Sequence, residues 1–225
     1  MIKPKILFMG TPGFAVPALS LLVEQHYPLG GVVTQPDRPQ GRGLVLQPSP
    51  VKTFALAHHL PIMQPERVRD DDFLKTFRLL SPDMVVLAAF GQILPNEIIY
   101  GPKMGCLNIH PSLLPRYRGA APINWAIIHG EQKTGVTIMR MAEELDAGDM
   151  IMQQETAIGV DETFDQLHDR LARLGAELLV KAIEMTVRGT AVRSAQDGSA
   201  ATFAPMLKKE DGIIRWDRDV DSIVN

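Results

Sequence analysis

The sequence predicts an α/β protein with a Rossmann-like architecture, a mainly parallel twisted sheet flanked by helices, and two observations carry that prediction. Short apolar runs of strand length alternate with stretches of helical periodicity as far as His110, and strands joined through helices imply right-handed crossovers between parallel neighbours. Met84 to Phe90, M-V-V-L-A-A-F, is apolar without interruption, the pattern of a strand covered on both faces.

In chain order, Lys5 to Met9 reads as a first strand closed by Gly10. Pro12 and Gly13 punctuate it before a helix from Phe14 to His26, where Phe14, Ala18, Leu21 and Leu22 recur at helical spacing. Gly30 to Thr34 is a second strand, and Gln35 to Pro50 a long loop rich in Pro, Gly and Arg. Ser49 and Pro50 supply an N-cap and a first-turn proline for a helix ending near Leu60. Pro61 to Met63 is a third strand, Val68 to Leu80 a helix, and Gly105 to His110 the strand after Met84 to Phe90. Pro122 to His129 is a short helix stopped at Gly130. Gly135 to Met139 and Met150 to Ala157 are strands joined by the loop Arg140 to Asp149. Thr163 and Gln166 form a capping-box pattern, and Phe164, Leu167, Leu171, Leu174, Leu178, Ala182 and Met185 line one face of a long helix that Gly189 ends. After Ala201 the segments are short and mixed, and Val220 to Asn225 looks like the opening of a helix cut short.

Composition narrows the function class. With a formal charge of -3, bulk electrostatics do not favour nonspecific nucleic-acid binding, and a single Cys among 225 residues excludes a disulfide framework or a Cys-rich zinc module. The histidines at 26, 58, 59, 129 and 168 have no metal-ligand spacing, so no metal is expected. No apolar run approaches the ~20 residues of a membrane span. The apolar run after Lys5 stops in Gly10-Thr-Pro-Gly13, too early for an export signal. That turn also lacks the G-x-G-x-x-G fingerprint, so it reads as a tight βα turn and not as a nicotinamide dinucleotide site.

The chemistry concentrates in Gly105-Cys-Leu-Asn-Ile-His-Pro-Ser-Leu-Leu-Pro-Arg-Tyr-Arg-Gly119. On a strand, Leu107 and Ile109 point to one face and Cys106, Asn108 and His110 to the other. Pro111 ends the ladder, so Asn108 and His110 lie at the carboxyl end, where open α/β sheets place ligand clefts. An amide and an imidazole two residues apart suit the capture of a carbonyl oxygen that gains negative charge. Cys106 reads as a buried, inert thiol. Downstream, Glu143, Glu144, Asp146 and Asp149 share one loop, and a carboxylate there could orient His110 or accept a proton from an attacking amine. Spacing does not choose among the four.

Asn108-x-His110, followed by Ser112-Leu-Leu-Pro-Arg-Tyr-Arg-Gly119 and by Leu145-Asp-Ala-Gly-Asp149, resembles the folate-dependent formyltransferases. Gly10-Thr-Pro-Gly-Phe14, Thr34-Gln-Pro-Asp-Arg-Pro-Gln-Gly-Arg-Gly43, Pro48-Ser-Pro-Val-Lys52, Gly119-Ala-Ala-Pro-Ile123 and Thr134-Gly-Val-Thr-Ile-Met139 are similar to the branch that formylates methionyl-initiator tRNA. The resemblance implies transfer of a formyl group from 10-formyltetrahydrofolate to an amine, without a metal. It makes Asn108 and His110 the holders of the formyl oxygen and Asp146 the carboxylate that orients His110 and helps take the proton. It places the folate against Ser112, Leu113, Leu114 and Pro115 and the backbone near Phe90 and Gly91. Phe14 would lie near the methionyl group, and Arg38 and Arg42 on a loop wedged against the tRNA acceptor end. Leu44 and Val45 stand where such loops often carry lysines, which leaves fewer phosphate contacts. An amino sugar nucleotide or a purine precursor is the alternative acceptor. The resemblance further implies a catalytic domain over 1–190, with 191–225 a linker and lead-in to a C-terminal β-barrel that binds tRNA, in a cytoplasmic, monomeric enzyme.

Overall fold

The computed structural model describes residues 2–40 and 45–224. One seven-stranded sheet organises them: β1 (Ile6–Gly10), β2 (Leu29–Val33), β5 (Ile62–Met63), β6 (Met84–Ala88), β7 (Cys106–His110), β8 (Lys133–Arg140) and β9 (Met150–Ala157), in the order β5-β2-β1-β6-β7-β8-β9. The pairings from β5 to β7 are parallel; β8 and β9 add to the edge antiparallel. The sheet is therefore mainly parallel, as the alternating pattern implies. The chain builds outward from β1 to β5 and then returns to lay β6 on the other side of β1. That reversal opens a crevice at the carboxyl ends of β1 and β6.

Strand parity divides the core. Ile6, Phe8, Val86, Leu107 and Ile109 face a large cluster with α1 (Val16–Glu24), α2 (Pro50–Ala57), α5 (Pro122–Ile128) and α6 (Phe164–Arg188). Leu7, Met9, Val85, Leu87 and Cys106 face a second cluster with α3 (Asp71–Leu80) and α4 (Asn96–Tyr100). Helix α6 begins with the capping box, the Thr163 hydroxyl and the Gln166 side chain each engaging the other's backbone N–H, and ends at Gly189 with φ 70°. It crosses the sheet closely at Gly175, where a Cβ would stand 2.7 Å from the Ile109 side chain.

Two features differ from the sequence expectation. The segment Gln35 to Pro50 carries a hairpin, β3 (Arg38–Gln40) and β4 (Val45–Gln47), paired antiparallel. Helix α4 was not anticipated: it holds five residues, of which only Ile98 and Ile99 are buried apolar, too few for a periodic signal. Among the described residues no helix is long and apolar enough to cross a membrane.

Candidate active site

Asn108 and His110 share one face of β7 and are 7% and 4% exposed. Among the described residues the Asn108 side chain has no hydrogen-bond partner, yet no fully enclosed side-chain polar atom is left unpaired. Its amide is therefore an unspent donor at the rim of the strand. The His110 ring makes one direct hydrogen bond, through Nε2, and turns its other nitrogen toward a carboxylate. Nε2 donates to the Tyr117 carbonyl at 2.9 Å, which fixes the proton on that nitrogen because a carbonyl only accepts. Nδ1 faces Asp146 Oδ2 at 3.7 Å, too long for a direct hydrogen bond.

Asp146 is 6% exposed, and its Oδ2 accepts the Gly119 N–H at 2.8 Å. Its φ of 49° lies in the left-handed region, which Asp tolerates better than most residues. The loop after β7 thus supplies both neighbours of the His–Asp pair: Tyr117 offers its carbonyl to the ring and Gly119 its amide to the carboxylate. Gly119, at φ 121°, is needed as glycine, since a Cβ would meet the Ala204 carbonyl at 2.7 Å. Of the four clustered acidic residues, Asp146 alone is buried in contact with His110; Glu143 pairs with Asn96 and Glu144 with Arg118.

Thr137 on β8 locks the start of that loop. Its hydroxyl donates to Ser112 O at 2.7 Å and accepts from Leu114 N at 3.2 Å and Gln153 Nε2 at 2.9 Å. Gln153 also donates to Leu114 O at 2.7 Å. Ser112 is 1% exposed with its hydroxyl donated to Arg116 O, and Leu114 is 3% exposed and precedes a cis bond to Pro115; Leu113 and Pro115 are half-buried. Across the crevice the Phe90 ring is buried, and its carbonyl accepts from Thr11 Oγ1 at 3.1 Å and Gln35 Nε2 at 3.2 Å; Gly91 follows exposed at φ 83°.

Phe14 sits in a 3-10 turn after β1, 4% exposed, edge-on to the His168 ring. Arg38 is exposed on β3, as is Val45 on β4. Arg42 and Leu44 lie outside the described residues. The hairpin is anchored at its base, where Asp37 pairs with Lys52 at 2.6 Å and accepts from Gln64 Nε2 at 2.8 Å. The Lys52 hydrogen bond, then that from Gln64, holds the Asp37 carboxyl below the usual carboxylate range. Burial raises the Cys106 thiol far above the ordinary range, so it is inert as a nucleophile. Among the described residues no three His, Cys, Asp or Glu side chains are grouped to hold a metal ion.

A strand-end amide, an imidazole beside it and a carboxylate behind the ring are groups that can offer donors to an oxyanion and an acceptor to a proton, which is what acyl-type transfer to an amine requires. The comparisons with known proteins agree with that class. The formyl transferase family matches residues 5–183, and the chain belongs to it. It is 55% identical to a methionyl-tRNA formyltransferase of Syntrophus aciditrophicus, over all of this chain and 72% of the relative. It is 52% identical to one of Citrifermentans bemidjiense, over all of this chain and 71% of that protein. Its fold is also that of an N-formyltransferase from Helicobacter canadensis solved with folinic acid and dTDP-3-aminofucose, at TM-score 0.72 and 19% identity, covering all of this chain and 78% of the other.

Residues outside the sequence prediction complete the site. Thr137 and Tyr117 lie inside stretches that carry the resemblance, but their contacts, like those of Gln153, run between residues 16 to 39 apart or through backbone and cannot be read from local spacing.

Proposed function

We propose that this enzyme transfers a formyl group from 10-formyltetrahydrofolate to the α-amino group of methionyl-initiator tRNA. The observation that carries the reading is the Asn108 amide, without a hydrogen-bond partner among the described residues, beside a His110–Asp146 pair at the carboxyl end of β7. The amine attacks the formyl carbon, a tetrahedral centre forms, and the carbon–nitrogen bond to the folate breaks as tetrahydrofolate takes up a proton. Asn108 gives its N–H to the formyl oxygen as that oxygen gains charge. His110 is the second donor: its Nε2 proton, resting on the Tyr117 carbonyl, turns to the oxygen, and the Asp146 carboxylate lies 3.7 Å from the other ring nitrogen. Asp146 accepts the proton that the amine sheds and passes it to the departing folate nitrogen. An α-amino group has an ordinary pKa near ~7.7 to 8.0, so much of it is nucleophilic at neutral pH and no covalent enzyme intermediate is needed.

We assign the flat pteridine of the donor to the Ser112–Pro115 loop, where Leu113 and Pro115 are half-buried, and to the Phe90–Gly91 turn, where Gly91 is exposed. The hairpin bearing Arg38 supports a tRNA acceptor, because a small amino sugar or purine precursor has no need of an exposed cationic arm. Phe14 belongs to the wall nearest the methionyl group.

The test is incubation of the full-length protein with 10-formyltetrahydrofolate and, in parallel, methionyl-initiator tRNA or amino sugar nucleotides. Formyl-methionyl-tRNA is the expected product. Formylation of the sugar alone overturns the choice of acceptor while leaving the chemistry in place.

A further inference from the structure

Residues 194–205 lie beyond the domain boundary the sequence suggests at 190 and beyond the 5–183 stretch that the family matches. They are nonetheless tied into the site. Ser194 exchanges two backbone hydrogen bonds with Met150, each 2.9 Å. Tyr117 N donates to Thr202 Oγ1 at 2.9 Å, Arg118 N to Thr202 O at 2.9 Å, Ala204 N to Arg118 O at 2.7 Å, and Ala121 N to Ala204 O at 3.1 Å. These bonds fix the loop on both sides of Gly119. They leave the Gly119 amide directed at Asp146 and the Tyr117 carbonyl at His110.

Gln196 stands at the centre of this segment. Its Nε2 donates to Asp146 O at 2.7 Å and to Gly148 O at 2.8 Å. Its Oε1 accepts from Arg118 Nε at 3.1 Å and Nη2 at 2.9 Å. Arg118 is 4% exposed, and its other partner, Glu144, is exposed, so Gln196 supplies the buried contact of that guanidinium. One planar amide therefore joins the two loops that bring Gly119 and Asp146 to His110. Two donors and an acceptor on one short side chain are available only from Gln or Asn.

We infer that Gln196 is a positioning residue for the transfer reaction: by gripping the Asp146 and Gly148 carbonyls it holds Asp146 in its left-handed conformation at its distance from His110. The inference rests on the role of Asp146 proposed above. It also means that the catalytic unit runs to about residue 205, past the 5–183 stretch that the family matches.

A double-mutant cycle in the full-length protein tests this, with Gln196→Ala, Asp146→Asn and the pair assayed for kcat and KM on methionyl-tRNA and for thermal midpoint. A misplacement of about 1 Å can cost ~10²-fold, so Gln196→Ala should lower kcat at least about tenfold with KM for methionyl-tRNA nearly unchanged. In the Asp146→Asn background the same change should cost less than about twofold, because groups that act as a unit are non-additive. Gln196→Glu keeps an acceptor for Arg118 but loses both N–H groups; it should match the kcat loss of Gln196→Ala while keeping the thermal midpoint. Equal losses in both backgrounds, or a fully active Gln196→Glu, would falsify the positioning role. Asp146→Asn within tenfold of wild type would instead sink the reading of Asp146 itself, and this proposal with it.

Discussion

Two loops leave the carboxyl edge of the same sheet and are held in opposite ways. The loop after β7, Pro111 to Ala121, is fixed along its length. Thr137 and Gln153 hold its start, Thr202 and Ala204 hold its end, and Ser112, Leu114, Tyr117 and Arg118 are all buried. Among the described residues the loop after β2 is held at its base, by Asp37, Lys52 and Gln64 and by Gln35 N donating to Thr11 Oγ1, and it projects Arg38, Val45 and Leu46 into solvent. The difference tracks the work each does under the proposed function. Formyl transfer needs donors placed to a fraction of an ångström, whereas gripping a large polyanion needs reach and tolerates motion.

The comparison breaks first if the rigid loop carries no catalysis. Asn108→Ala removes the proposed oxyanion donor, whose side chain has no hydrogen-bond partner among the described residues, so formyl transfer should fall at least about 100-fold with the thermal midpoint unchanged. Asp146→Ala should lose as much, through the ~10² to 10⁴ worth of a general base. Steady-state kinetics on methionyl-tRNA decide both, and either variant within tenfold of wild type removes that residue from the mechanism.

Thr137→Val is next. Valine keeps the shape but leaves Ser112 O and Leu114 N without their hydroxyl and weakens the hold on Gln153. Buried groups left unpaired cost ~1 to 3 kcal/mol each, and partial relaxation brings the net loss to about 2 to 3 kcal/mol, read from urea unfolding midpoints. Formyl transfer should fall with it, since the strand of loop that Thr137 fixes leads to Tyr117. A variant as stable as wild type shows that the loop is held elsewhere.

These two loops were also unequally legible in the sequence. The Asn108-x-His110 pair could be read from strand parity and the proline after it, because both residues lie in one short element and their shared face follows from the backbone alone. Asp146 could not be separated from Glu143, Glu144 and Asp149 without the family resemblance, because the choice depends on burial against a strand more than 30 residues earlier. Gln196 left no signal at all: its partners, Arg118, Asp146 and Gly148, are 48 to 78 residues away. The hairpin was hidden for a different reason. Its strands are three residues each, one holds Pro39, and a Pro- and Gly-rich composition ordinarily marks loop.

A smaller effect probes the anchored base of the hairpin. Asp37→Asn keeps the size but removes the charge that Lys52 meets. The arm should lose its fixed direction, raising KM for methionyl-tRNA roughly threefold to tenfold with kcat unchanged, the scale of ordering a few side chains on binding. The pH dependence has a definite sign. The Asp37 carboxyl is held below its ordinary value, so its anchoring is present above the unfolded value and is lost only as pH falls through the lower, folded one. KM for the tRNA should stay flat on this account between about pH 8 and pH 6. A kcat loss in Asp37→Asn would mean that the arm shapes the chemical site, and the contrast between the loops would fail.

The smallest effect separates backbone from side chain in the rigid loop. Tyr117 serves His110 through its carbonyl, while its phenol turns away to donate to Glu131 at 2.6 Å and to meet His129 Nδ1 at 3.1 Å. Burial, then the Glu131 hydrogen bond, pushes that phenol from 10.0 up to about 12. The folded state thus holds the proton more tightly than the unfolded chain. The stability this adds is complete below about pH 10 and fades as pH rises toward the folded value. Tyr117→Phe should therefore cost only about 0.5 to 1.5 kcal/mol at neutral pH, lose less than wild type on raising the pH above 10, and leave kcat within about twofold. A tenfold fall in kcat with an intact fold would give the phenol a part in the chemistry that the carbonyl alone does not explain, because Phe retains the backbone bond to His110 and loses only the hydroxyl.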